Sequence, residues 1–378
     1  MFKILNNDKN TGARSAELFT KTNSIETPVF MPIGTLGTVK SVSPFELYDE
    51  GFKIILSNTY HLFLRPGIDV IEKFGSLRNF INYKGSILTD SGGFQIFSLA
   101  KFAKPNGDGV EFMSHIDGNR HFFTPEKVIK LQETFDSDIM MPLDIFSGPE
   151  ASRSKAHSDL SITISWAKRS LEARTKKENL LFLITQGNFF EDLRINCAAA
   201  LADLDADGYA IGGLAVGEDK EIMFKMLNCS ISKLPELKPR YLMGVGTPED
   251  ILNAIGCGVD MFDCVLPTRN ARNGFAFTAK GNLNIKNAIY RDDTEPIDAE
   301  CLCFCCSNFS KAYVRHAFMS REIFSQRLLT IHNLHFYEKM ILNTRKAIKE
   351  GYFESYKNKF IKLRKTGEEH NENITQFL

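Results

Sequence analysis

Asp90, Asp144 and Asp263 each end a short apolar run. A carboxylate at the end of a buried strand can act as a nucleophile, as a general acid or base, or as an acceptor for a polar ligand edge. A single aspartate in that position is more often a helix cap or turn residue. Three of them in the same context are harder to assign to capping. The stretch Val259-Asp-Met-Phe-Asp-Cys-Val-Leu-Pro-Thr-Arg-Asn-Ala-Arg-Asn273 adds a further element. Pro267 breaks the run, and Arg269 and Arg272 follow it. A carboxylate beside two guanidinium groups points to chemistry on a phosphate-bearing substrate, with nucleic acid first in line.

Four of the eight cysteines fall in Cys301-Leu-Cys-Phe-Cys-Cys306, and His332 and His335 follow. Together they offer more than the four soft ligands that a tetrahedral zinc ion takes. Cys301, Cys303 and Cys306 with one of the two histidines close the coordination sphere and leave Cys305 spare. Four protein ligands leave no open position for water, so the expected Zn2+ is structural, one per chain. Clustered thiols also fit a reducing compartment better than a disulfide framework.

Elements that could position these groups recur along the chain. Eight apolar runs, at 29–32, 54–56, 87–89, 139–143, 181–185, 209–211, 241–245 and 259–262, alternate with segments of helical spacing. Thr124-Pro125-Glu126 and Thr247-Pro248-Glu249 are helix starts with proline at the first helical position, and residues 160–173 show helical periodicity. Eight such runs predict a (β/α)8 TIM barrel over residues 27–285, ahead of an open doubly wound sheet. A capping hairpin is expected over 1–26 and a second hairpin, turning at Asp117-Gly118, is expected as an insertion after the third strand. Residues 286–337 form the expected zinc module. A basic helix and a polar tail complete the chain over 338–378, with nine Lys or Arg against three Glu in 338–365. Barrel sites lie at the carboxyl ends of strands. Asn58, Asp90, Asp144, Gln186, Gly212, Gly213, Gly244 and Asp263 therefore converge on one mouth.

Composition narrows the function classes only modestly. Lys plus Arg is 46 and Asp plus Glu is 46, so any nucleic-acid binding depends on a local patch. No apolar run reaches bilayer length and the N-terminus lacks a signal-peptide pattern, so a cytoplasmic protein with no membrane partner is expected.

Longer motifs carry a family resemblance. Asp90-Ser-Gly-Gly-Phe-Gln95, Gly212-Gly-Leu-Ala-Val-Gly-Glu218, Met243-Gly-Val-Gly246, Asp263-Cys-Val-Leu-Pro-Thr-Arg-Asn-Ala-Arg-Asn-Gly274 and the cysteine cluster resemble the tRNA-guanine transglycosylases, also called queuine tRNA-ribosyltransferases, in their bacterial form. The resemblance runs from about residue 10 to about residue 336. It implies exchange of guanine at the wobble position (34) of tRNAs with a GUN anticodon for a 7-deazaguanine, in queuosine biosynthesis, by a homodimer. It also implies that Asp263 is the nucleophile at the ribose and Asp90 the general acid/base. Ser91, Phe94, Asp144, Gln186, Gly213, Leu214 and Met243 would hold the base, and Arg269 and Arg272 the tRNA. The metal set becomes Cys301, Cys303, Cys306 and His332.

The chemistry agrees with those roles. Exchanging one base for another on the same sugar with retained configuration takes two displacements, hence a covalent intermediate on a carboxylate. The sequence departs from the family at Asp144-Ile-Phe-Ser-Gly148, where most bacterial members continue from the aspartate with Glu-Cys-Thr-Pro, and at Gln186-Gly-Asn188, where Gln-Gly-Gly is usual. The bacterial form of Gly213–Gly217 favours preQ1 as incoming base, with salvaged queuine second and Ile145 and Phe146 as the residues that decide. A non-catalytic tRNA-binding subunit is disfavoured by the presence of both Asp90 and Asp263. A zinc-dependent hydrolase is disfavoured by the closed ligand set.

Overall fold

Eight parallel strands, Val29–Pro32, Ile54–Asn58, Ser86–Asp90, Ile139–Met140, Leu180–Thr185, Gly208–Ile211, Arg240–Leu242 and Met261–Cys264, form one sheet in the computed structural model, which describes residues 2–99 and 102–376, with side chains to residue 367. The eighth strand pairs with the first, Phe262 opposite Phe30. A parallel bridge between Ile33 and Leu56 joins the first strand to the second and closes the barrel. The expected (β/α)8 barrel is therefore present.

Alternation along each strand sets the two packing layers. Val29, Met31, Ile54, Leu56, Leu88, Ile139, Phe182, Ile184, Ala210, Tyr241 and Met261 share an inner cluster. Their neighbours Phe30, Ile55, Ile87, Leu181, Leu183, Tyr209, Ile211, Leu242 and Phe262 join the outer cluster against the helices. The same period of two, carried to the carboxyl end, places Asn58, Asp90, Gln186, Met243 and Asp263 in phase with the inner face. The hydrophobic pattern of the strands thus aims the polar groups at the mouth.

The amino-terminal rim repeats one device on alternate strands. Asp138, Asp207 and Asp260 stand just before or at the start of the fourth, sixth and eighth strands. Each accepts the backbone N–H of a residue at or near the start of the preceding strand: Ile87 at 2.9 Å, Leu181 at 2.9 Å and Arg240 at 2.7 Å. Each also pairs with an arginine: Arg78, Arg174 and Arg14.

Several boundaries differ from the sequence expectation. In place of the hairpin expected over 1–26, residues 2–27 form a three-stranded antiparallel sheet, Phe2–Asn7, Arg14–Phe19 and Ser24–Thr27, whose Leu18 and Ile25 plug the barrel floor. The insertion is likewise three-stranded, Ala103–Pro105, Val110–Met113 and Arg120–Phe123, with its turn at the expected place. The helix of residues 160–173 starts earlier, at Arg153, behind an N-cap serine, Ser152. Helix Ile323–Glu350 crosses position 337, so the expected division between zinc module and basic helix falls inside one element. Helix Phe353–Gln376 continues through the region expected to be a tail; residues 377 and 378 lie outside those described. No described helix is long and apolar enough to cross a membrane.

Candidate active site and metal centre

A cavity of about 300 Å³ opens at the carboxyl end of the barrel. Asp90, Asp144 and Asp263 all line it, together with Phe94, Gln186, Gly213, Leu214 and Met243. Among the described residues no lysine or arginine forms an ion pair with any of the three carboxylates. Their hydrogen-bond partners are neutral. Asp90 accepts from Asn58 Nδ2 at 3.0 Å, Asp144 from Gln186 Nε2 at 2.7 Å, and Asp263 from the Tyr241 hydroxyl at 2.5 Å and the Gly244 N–H at 2.9 Å.

Burial without a cation pushes the pKa of all three above the usual carboxylate range. Asp90 is pushed up to about 7 by burial first and then by the nearby charges of Asp144 and Asp263. Burial lifts Asp144 to about 6 against the pull of the Gln186 amide. Asp263 is also raised by burial, but its two donors, Tyr241 and Gly244, favour the ionised form. Tyr241 is itself driven well above its usual range by burial and by Asp263, so it remains a donor. The nearby charges of Asp144 and Asp263 favour a proton on Asp90, while Tyr241 and Gly244 give Asp263 two donors to its ionised form.

Two glycines let the backbone approach these side chains closely. A Cβ on Gly93 would lie 2.9 Å from Asp144 Oδ1, and one on Gly213 would lie 2.5 Å from Gln186 Oε1. Gly213 also holds φ at +67°, a conformation that disfavours a side chain.

Ser91 is not among the cavity's lining residues. It is fully buried, with Oγ accepting the Gly93 N–H at 3.2 Å, so it shapes the turn after Asp90. Ile145 is also turned away, buried in the outer core with its N–H on Thr163 Oγ1. Phe146 alone of that pair faces the cavity, edge-on to Phe94 at 5.2 Å between ring centres. Arg269 and Arg272 lie outside the cavity on helix Leu266–Arg272, which begins two residues after the strand that carries Asp263. Arg269 is exposed, while Arg272 is half-buried and donates to the Thr268 carbonyl. Tyr241 and His61, both lining residues, were not anticipated from the sequence. The cross-strand pairing of Tyr241 with Asp263 is visible only once the seventh and eighth strands are neighbours.

Cys301, Cys303, Cys306 and His332 bring their ligand atoms within 4.8 Å of one another. The three sulfurs lie 3.6, 3.6 and 3.3 Å from His332 Nδ1. Nε2 of the same ring is 2.8 Å from the Phe277 carbonyl, which can only accept, so Nε2 carries the proton and Nδ1 turns its lone pair to the sulfurs. That arrangement suits a cation. His335, the other histidine considered, pairs with Glu50 instead. Cys305 is buried and stands outside the group. None of the four ligands lines the cavity. Asn333, next to His332, donates to the Pro267 carbonyl at 2.9 Å and accepts the Phe277 N–H at 2.9 Å. The helix that carries His332 thus supports the segment that carries Arg269 and Arg272.

Comparison with known proteins identifies a family. Residues 8–366 match the family model described as queuine tRNA-ribosyltransferase. A protein of that name from Dictyoglomus turgidum is 49% identical over 364 residues, covering 96% of this chain and 94% of the relative. The one from Thermoanaerobacter pseudethanolicus is 51% identical over 362 residues, 96% of each chain. The one from Lawsonia intracellularis is 52% identical over 353 residues, covering 93% of this chain and 95% of the relative.

Proposed function

The chain belongs to the queuine tRNA-ribosyltransferase family, the tRNA-guanine transglycosylases, and we propose that it replaces guanine at position 34 of GUN-anticodon tRNAs with preQ1 through a covalent Asp263–ribose intermediate. The observation that carries this reading is three buried carboxylates lining one cavity, each with different neutral donors and no cation. In the first displacement an Asp263 oxygen bonds to C1′ of the ribose as the C1′–N9 bond breaks. Asp90 gives its proton to the departing guanine. In the second, the incoming base loses its N9 proton to Asp90 and attacks C1′, and Asp263 leaves as carboxylate. One proton is given and one returned, so Asp90 ends as it began.

Asp144 and Gln186 would read the hydrogen-bonding edge of the base, and the N–H groups at Gly213 and Leu214 its oxygen. Met243 and Phe94 would meet its faces. Arg269 and Arg272 would hold the phosphates that flank a nucleotide drawn from its stack, a step that costs a few kcal/mol. The cavity sits at the small end of ligand sites, which run from about 300 to 1,000 Å³, and Phe146 narrows its wall. Both favour a short substituent, as on preQ1, over the bulkier one of queuine. Competition of preQ1 with queuine for incorporation into one guanine-34 tRNA tests this choice, and preferential uptake of queuine would reverse it.

The Cys3His group would hold a structural Zn2+, which would fix the module that buttresses helix Leu266–Arg272. A homodimer fits the exposed aromatic cluster of the same module, where Phe309 stacks on Tyr313 and meets Phe304 and Phe324. The reaction would take place in the cytoplasm.

A further inference from the structure

Arg194 is fully buried and has no carboxylate partner among the described residues. It lies in the first turn of helix Glu191–Ala202, where the helix dipole disfavours a positive charge. A buried cation in such a place is costly unless something specific is gained or bound. Its guanidinium is spent entirely on backbone carbonyls: Nε donates to Asn188 at 2.8 Å, one terminal nitrogen to Gly212 at 2.7 Å and the other to Gly213 at 3.1 Å. Burial lowers its pKa to about 10, which still leaves it charged at neutral pH.

The two glycine carbonyls belong to consecutive peptide units, and both units are trans. In a trans peptide the C=O and N–H point in opposite directions. With the Gly212 and Gly213 carbonyls both turned to Arg194, the Gly213 and Leu214 N–H groups turn away from it. Gly212, Gly213 and Leu214 form part of the cavity wall. Neither of those two N–H groups has an acceptor within the protein among the described residues, whereas the next two, Ala215 and Val216, are both taken by the Glu218 carboxylate. Successive N–H groups on one side of a left-handed turn form a cradle for a negative or carbonyl oxygen. The positive φ at Gly213 and Ala215 gives the chain that curl.

We infer that Arg194 is a positioning residue that turns the N–H groups of Gly213 and Leu214 into the cavity, as paired donors for the 6-oxygen of the purine base. This rests on the base-exchange reading above and adds to it. The arginine touches no substrate. It selects for a 6-oxo base by fixing two peptide planes from behind, and its charge polarises both toward the cavity.

The test compares binding of free guanine and of 2-aminopurine, which lacks the 6-oxygen, to the full-length wild type, Arg194→Lys and Arg194→Met by calorimetry. The analogue also lacks the N1 proton, but that change is common to all three proteins and cancels in the comparison. The expected result is a strong preference for guanine in the wild type, reduced at least about tenfold in Arg194→Met, with 2-aminopurine affinity changed by less than threefold and an intermediate preference in Arg194→Lys. A purely structural role would weaken both ligands equally. If Arg194→Met does not fold, Arg194→Lys, which keeps the charge and loses the planar fork, decides. Unchanged preference in Arg194→Lys together with unchanged or equally weakened binding in Arg194→Met would overturn the inference. Failure of the wild type to bind guanine would instead remove the base-exchange reading itself.

Discussion

Asp260, just before the eighth strand, and Asp263, on it, lie three residues apart, both buried, in opposite electrostatic surroundings. Asp260, at the amino-terminal rim, is held by both forks of Arg14, at 2.9 and 2.7 Å, and by the Arg240 N–H. Asp263, at the mouth, has only a phenol and one amide. The contrast extends around the barrel, with Asp138, Asp207 and Asp260 each paired to arginine at the floor and Asp90, Asp144 and Asp263 each given neutral donors at the mouth. A buried carboxylate that has its cation contributes to holding the fold. Burial pushes the pKa of both Asp260 and Asp263 upward, but only Asp260 has an arginine to oppose it, whereas Asp263 has neutral donors alone and an oxygen free to react.

The largest expected effect comes from exchanging the fates of these two aspartates. Asp263→Asn should lower base exchange by roughly 10⁴-fold or more while leaving the denaturation midpoint unchanged or higher, because a burdened carboxylate is removed. Asp260→Asn should do the reverse. Stranding Arg14 should cost about 3–5 kcal/mol of stability, with the exchange rate per folded molecule unchanged. Denaturant titration alongside a labelled-guanine assay separates the two, and loss of activity without loss of stability in Asp260→Asn would break the contrast.

The Cys3His group is a third kind of buried site, whose compensating cation would come from outside the chain. Cys303→Ser should abolish bound zinc, measured by elemental analysis, and lower thermal stability, since a structural zinc contributes on the order of 10 kcal/mol. Asp263 lies outside that module, so the activity lost should follow unfolding.

A smaller effect concerns pH. The folded-state value of Asp90, about 7, lies above the unfolded value of about 3.9. The folded protein therefore binds this proton more tightly, and the stability associated with it is lost as pH rises from about 4 through about 7. Asp90→Asn should flatten that limb of the stability profile. In the active enzyme kcat/KM for tRNA should fall as pH rises through about 7, because the first displacement needs the proton on Asp90. The smallest effect belongs to the exposed edge. Arg269→Ala should raise KM for tRNA several-fold and reduce its salt dependence by about one charge, with affinity for free guanine unaffected.

Much of this site was legible in the sequence because strand alternation and strand termini are local properties. Apolar runs ending in Asp90, Asp144 and Asp263 reported both the barrel and its mouth. What escaped depended on neighbours distant in the chain. The third strand of the floor sheet, Ser24-Ile-Glu-Thr27, reads as turn because it alternates over only four residues before Pro28. Ala103–Pro105 carries a lysine and a proline and has no strand pattern of its own. Ile145 and Phe146 are indistinguishable in sequence, and only the departure of the chain from the short fourth strand decides which faces the base. Tyr241 reads as one more apolar strand residue until its hydroxyl meets Asp263. The aspartates ahead of the even strands read as loop residues until three arginines, from far apart in the chain, reach them.

The most direct measurement is to denature the enzyme during turnover with a guanine-34 tRNA, digest both components and locate the ribose-modified peptide by tandem mass spectrometry. The modification is expected on Asp263 and should vanish in Asp263→Asn. A ribose on Asp90 or Asp144, or full exchange by Asp263→Asn with no adduct, would contradict the division of labour between the two ends of the barrel.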